Sequence, residues 1–125
     1  MDLKKLTKRQ QEALLDLAML AMYADGHLSF SEDERVLRLL GAMGFDTEYD
    51  RGRQFDASVS RVSRHSVTAE AARAHARKLA KAFTTPEQQR EVQTILNDLV
   101  SSDNDVTPQE SKFLSVVREA LQKAA

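Results

Sequence analysis

Apolar residues recur three or four positions apart along most of the chain, which is the spacing of one face of an α-helix. The first such run predicts a helix over about 8–24, opened by a capping box between Thr7 and Gln10. A second helix is expected to begin after Ser29 and to end at Gly44, because serine favours helix starts and glycine favours helix ends. The first third of the chain is therefore predicted to form a helix-turn-helix hairpin.

Four further helical segments are predicted after this hairpin. The segment capped by Asp46 or Thr47 contains Gly52, so it is expected to form either one weak helix or two short ones. The next helix is expected to carry Phe83 on its buried stripe. The last three segments begin at the threonine caps Thr68, Thr85 and Thr107. No segment alternates as a β-strand does, and the pattern predicts an all-α, compact bundle of about six helices.

The chain contains an internal repeat with an offset of 78 positions. This offset aligns residues 25–32 with residues 103–110, so that an Asp and a Glu coincide in both copies, and it also aligns apolar positions of the flanking helices. We interpret the copies as equivalent helix-turn-helix hairpins over about 7–44 and 85–124, joined by basic helices over about 47–83.

The two turns of the repeat carry matched acidic residues, which are Asp25 and Glu32 in the first copy and Asp103 and Glu110 in the second. Such hard oxygen ligands suit a divalent cation such as Ca²⁺ or Mg²⁺. Each turn resembles the second half of an EF-hand loop but lacks the acids of the first half, which argues against a standard EF-hand. Two-fold packing of the hairpins would combine both turns into one metal site. The alternative is that these acids only cap turns and helices.

The composition is that of one folded domain, spanning 1–125. Hydrophobic residues make up 42% of the chain, which is enough for a single core. Cysteine is absent, and this excludes disulfides, thiolate zinc sites and thiol nucleophiles. No signal segment or membrane-spanning stretch is seen, so we expect a soluble, cytoplasmic protein that does not bind membranes.

The net charge of −1 hides a basic middle between two acidic ends. Residues 1–50, 51–81 and 82–125 carry net charges of −4, +6 and −3. The pattern of the basic segment favours a merely solvated helix face, and docking of an anionic protein partner is the alternative. The arginines expected to bind this partner are Arg61, Arg64, Arg73 and Arg77. No aromatic residue lies between 56 and 82, so nucleic-acid binding is not expected.

No enzymatic site is indicated by the remaining polar residues. His27, His65 and His75 lack the spacing of a helical metal pair, and we interpret them as surface or turn residues. None of the serines lies in a nucleophile elbow. A binding protein is therefore predicted rather than an enzyme, with a metal-dependent hydrolase that uses the same four acids as the remaining alternative.

The first turn also carries a family signature. The segment Ala24–Glu32 reads Ala-Asp-Gly-His-Leu-Ser-Phe-Ser-Glu, which resembles the Ala-Asp-Gly-x-(Leu/Ile)-x-x-x-Glu turn of the TerB-like family of bacterial tellurite-resistance and stress-associated proteins. The second copy departs from it, with Ser102, Asp103 and Asn104 in place of Ala-Asp-Gly. The resemblance covers most of the chain and implies a compact helical domain with an acidic, metal-binding surface. It implies no catalytic residues.

Overall fold

A computed structural model describes residues 2–22, 34–101 and 107–123. These residues form a short 3₁₀ helix, Leu3–Lys5, and six α-helices, with no β-strand among them. The helices are α1 (Lys8–Met22), α2 (Glu34–Ala42), α3 (Glu48–His65), α4 (Ala69–Ala80), α5 (Pro86–Ser101) and α6 (Pro108–Lys123). The predicted all-α bundle is confirmed.

Threonine side chains cap five of these helices at the positions read from the sequence. Thr7 and Gln10 exchange two hydrogen bonds of 3.1 Å, each side chain accepting from the backbone N–H of the other residue. Thr107 and Glu110 form the same reciprocal pair at the start of α6. The hydroxyls of Thr47, Thr68 and Thr85 each accept from the backbone N–H three residues further along. These bonds satisfy N–H groups that have no partner within the first helical turn.

Helix α3 is one continuous helix, so the alternative of two short helices is wrong. Gly52 lies inside the helix and does not interrupt it. Phe55 and Val62 are buried on one face of α3, with 2% and 0% of their surface exposed. Burial of such side chains contributes about 1.5–3 kcal/mol each, which outweighs the roughly 1 kcal/mol that an internal glycine costs.

The remaining difference concerns the end of a helix. Helix α4 ends at Ala80, so Phe83 belongs to the following turn rather than to the helix, although it is fully buried as expected. After α2, Gly44 has a positive φ of 104°, which is the left-handed conformation expected of a glycine that ends a helix.

Helix α1 is the centre of the bundle. All ten residues from Ala13 to Met22 are buried, and the helix packs against each of the other five. A helix that is buried on every side is surrounded by the rest of its domain. The basic segment also contributes to this core, because α3 packs on α1 and α4 packs on both α1 and α6.

The two hairpins contact each other through residues related by the 78-position offset. Helix α1 packs against its equivalent, α5. At their N-terminal ends, the amide Nε2 of Gln10 donates to Oε1 of Gln88 at 3.5 Å, and these two glutamines occupy the same position in the repeat. Their burial also matches inside the core, where Leu14 and Val92 are both fully buried.

Candidate functional site

The acidic residues proposed as metal ligands are only partly within the described structure. Asp25, Glu32 and Asp103 lie outside the described residues, and so do the turns that hold them. Glu110 is described, and it lies in the first turn of α6. That the four carboxylates meet in one site therefore stays a prediction.

Glu110 is a buried carboxylate that caps its own helix. Its side chain is 8% exposed, and its Oε1 accepts a hydrogen bond of 2.9 Å from the backbone N–H of Thr107. No group in the described part of the chain donates a hydrogen bond to Oε2. One carboxylate oxygen of Glu110 thus completes the cap of α6.

The helix ends that flank the two acidic turns are hydrogen-bonded to each other. The guanidinium Nη1 of Arg35, in the first turn of α2, donates to the backbone carbonyl of Leu99 near the end of α5 at 3.0 Å. Arg35 follows Glu32 by three residues, and Leu99 precedes Asp103 by four. The described residues next to the two turns therefore lie at the same end of the bundle.

Away from the turns, ranges 2–22, 34–101 and 107–123 contain no cluster of three or more His, Asp or Glu side chains that would hold a metal ion.

Arg61, the first of the predicted docking arginines, is bonded inside the protein. Its Nε and Nη2 donate to the two carboxylate oxygens of Asp16 at 2.8 and 2.9 Å. Asp16 is 2% exposed, and its Oδ1 also accepts a hydrogen bond of 2.5 Å from the buried hydroxyl of Ser58. Hydrogen bonding to Asp16 raises the pKa of Arg61, so the guanidinium stays charged. A two-pronged contact of this kind holds the side chain in place.

The other three arginines do not form one patch. Arg64 is exposed at the end of α3, where its Nε donates to the carbonyl of Ser60 at 3.3 Å. Arg73 and Arg77 lie on one face of α4, four residues apart, and Arg73 is the more buried of the two. Partner docking by this set stays a prediction.

A stacked pair of histidines was not foreseen from the sequence. The rings of His65 and His75 lie 3.9 Å apart between centroids and are nearly parallel, with 16° between their planes. The pKa of His75 is lowered, chiefly by burial and by the neighbouring His65. No helical spacing connects these residues, because His65 ends α3 and His75 lies within α4.

The buried Asp16 was also missed, although the sequence contained a signal for it. Asp16 interrupts a run of apolar residues that extends from Ala13 to Met22. An acid within such a run faces the core at some point of the helix, and a buried carboxylate requires a cationic or hydrogen-bonding partner. Its position alone does not identify Arg61, which lies 45 residues away.

None of the helices in the described part of the chain combines the length and hydropathy that a membrane crossing requires. Comparison with known families gives one match, to the family described as tellurite resistance protein TerB, which covers residues 11–123. No curated protein and no solved structure matches the chain.

Proposed function

This chain belongs to the TerB family of tellurite resistance proteins, and on that premise we propose that it is a non-enzymatic domain whose two acidic turns bind one divalent cation. Ca²⁺ and Mg²⁺ are the ions that carboxylate ligands favour. The proposed ligands are Asp25, Glu32, Asp103 and Glu110. The family description further suggests a role in bacterial stress resistance. We propose that the protein acts in the cytoplasm.

The hydrogen bond between Arg35 and Leu99 is the observation that carries this proposal. Glu32 is three positions from Arg35 along the chain, and Asp103 is four positions from Leu99. A chain segment of three residues reaches at most about 11 Å, and one of four residues at most about 14 Å. Arg35 and Leu99 are themselves joined by a hydrogen bond. This contact supports the proposal that one carboxylate from each turn contributes to a shared site.

The chemistry of Glu110 gives further support. The same kind of reciprocal cap at the start of α1 uses the neutral amide of Gln10, so a carboxylate is not required for capping in this fold. Burying a negative charge costs free energy unless a positive charge or hydrogen bonds compensate it. A divalent cation bound at Oε2 would supply that compensation.

The test is calorimetric titration of the whole chain with Ca²⁺, Mg²⁺ and Mn²⁺ near neutral pH. We expect one ion per chain, and the variant Glu110→Gln should weaken binding by about tenfold or more while keeping the cap, as Gln10 does at α1. Glu119→Gln, an exposed substitution on the same helix, is the matched control and should bind as the wild type does. Absence of binding at about 1 mM of each metal would exclude the cation site.

A second candidate function is the docking of an anionic protein through the basic segment. The exposed Arg64 and Arg77, with the partly buried Arg73, form no ion pair with any residue among those described. Charges left without internal partners are available to an outside one. Arg61 contributes less to such a surface because Asp16 holds it.

Charge reversal separates the two functions. If docking is the function, Arg73→Glu together with Arg77→Glu should abolish partner capture in a pull-down, whereas Asp25→Asn with Asp103→Asn should leave it intact, since asparagine caps nearly as well as aspartate. The opposite pattern would favour the cation site.

A further inference from the structure

A polar cleft with no assigned role lies where α1, α3 and α4 meet. Its volume is about 390 Å³, which is within the range of small-molecule binding sites. Basic side chains line it from all three helices: Arg9 from α1, Arg64 from α3 and Lys78 from α4. The cleft does not include Glu110 or the flanking residues of the acidic turns, so it is a separate feature of the molecule.

The cleft carries more positive than negative charge. Arg9, Arg64 and Lys78 have no ion-pair partner within residues 2–22, 34–101 and 107–123. Two carboxylates line the same wall, and one of them, Asp16, already binds Arg61. Arg9, Arg64 and Lys78 thus line the cleft from three helices. The second carboxylate of the wall is that of Glu12. An anion bound in the cleft would offset this excess of positive charge.

The stacked imidazoles of His65 and His75 form another part of the wall. The Nε2 atom of His75 is buried and has no hydrogen-bond partner among the described residues. Burial, His65 and Lys78 lower the pKa of His75, and Asp16 acts in the opposite direction. The charged groups that line the cleft around this ring are Arg9, Glu12 and Asp16 of α1, Arg61 and Arg64 of α3, and Lys78 of α4.

We propose that this cleft binds a phosphate-type oxyanion, with Arg9, Arg64 and Lys78 as the cationic donors and the His65–His75 stack as the wall that takes up a proton when the anion binds. Guanidinium groups match the geometry of phosphate oxygens, and the ammonium group adds a compact charge. A small anion fits this cleft better than a nucleic acid does, because no Phe, Tyr or Trp side chain is among the residues that line it.

The first experiment follows the ¹⁵N–¹H and imidazole NMR signals of the whole chain during titration with inorganic phosphate at constant ionic strength. Phosphate should shift the signals of His65 and His75, and Arg64→Gln and Lys78→Gln should each weaken binding by about fivefold or more. Arg77→Gln, on α4, and Lys81→Gln, directly after α4, remove the same charges from exposed positions that do not line the cleft, and they should bind as the wild type does.

A second titration uses methyl phosphate to separate two sources of the same group. Tighter binding of methyl phosphate assigns the cleft to a phosphate monoester, and tighter binding of inorganic phosphate assigns it to the free ion. Unshifted histidine signals, or an equal loss of affinity in the cleft and control variants, would refute the proposal, because the second result indicates only general charge attraction.

Proton uptake is tested with sulfate, which stays a dianion over the relevant pH range. Sulfate should bind more tightly at about pH 5.5 than at about pH 7.5, because an anion beside His75 favours its protonated form. His75→Gln should reduce this pH dependence. An identical pH dependence in the wild type and in His75→Gln would show that the imidazole takes no part.

Discussion

At the scale of single residues, the bonds among Asp16, Arg61 and Ser58 connect α1 to α3 inside the protein. Asp16 accepts from both side chains, and its carboxylate is almost inaccessible to water. A buried charge of this kind adds little net stability when paired, but removal of one partner leaves the others uncompensated. The cluster therefore fixes how the two helices are positioned more than it strengthens their packing.

The first prediction concerns this cluster. Asp16→Ala should lower the free energy of unfolding by about 3–5 kcal/mol, because Arg61 and Ser58 then lose their buried acceptor. Replacing Asp16 and Arg61 together by leucine should cost less than Asp16→Ala alone. Urea unfolding measures both, with the exposed Asp56→Ala on α3 as control. If the double replacement were the more damaging, the paired charges would be a net source of stability.

The second prediction concerns the pH dependence of stability. His75 has an ordinary pKa of 6.5 in the unfolded chain and a lower pKa in the fold, because burial and the adjacent His65 disfavour the charged ring. The unfolded chain then binds the proton more readily. The corresponding stability is complete above the unfolded pKa and is lost as the pH falls toward the folded pKa.

Between about pH 7.5 and about pH 5.5, the wild type should therefore lose more free energy of unfolding than His75→Gln does. Chemical denaturation at a series of pH values measures this difference. The charged groups Asp16 and Lys78 stay in place in both proteins, so their own effects cancel in the comparison. Parallel pH profiles would contradict the assignment of the lowered pKa.

At the scale of elements, capping side chains determine where the helices start. Burial of an apolar face determines whether a helix continues. The threonine caps could be read from the sequence because each involves residues only three positions apart. Gly52 suggested a division of α3 that does not occur, since propensity is a local preference and the buried face of the helix outweighs it.

The third prediction compares two glycines in different conformations. A Cβ at Gly52 would meet nothing within 4 Å, so Gly52→Ala should stabilise the protein by about 0.5–1 kcal/mol. Gly44 has a positive φ, so Gly44→Ala should destabilise it by about 1 kcal/mol. Thermal unfolding of the two variants measures the contrast. Equal effects of the same sign would show that backbone conformation is not what distinguishes these positions.

At the scale of the whole molecule, the six α-helices of the described ranges share one core around α1. The sequence identified the buried faces but not which faces meet, because helical spacing defines a stripe and leaves its partner open. For this reason the contacts of Asp16 with Arg61 and of His65 with His75 required the structure. The candidate cation site could be predicted from the matched acids of two turns in the sequence. The structure adds the contact between the helices that flank these turns.

The fourth prediction tests whether this core is a single cooperative unit. Leu14 is fully buried on α1, and Leu14→Ala should cost about 2–5 kcal/mol. Hydrogen exchange should then quicken in α5 and α6 as much as in α1, since all of these helices open together. Val67→Ala, at a position that is 83% exposed, is the control and should change exchange little. Faster exchange confined to α1 and α2 would indicate two independent units.

The meeting of Gln10 with Gln88 has a consequence for the origin of the chain. A residue that touches its own counterpart marks the axis of a two-fold dimer, and such a contact is isologous when the two subunits are identical. Here the counterparts belong to one polypeptide. This is the arrangement that duplication and fusion of a self-associating ancestral hairpin would leave behind, with the departures between the two turns recording how the halves diverged once each was free to change alone.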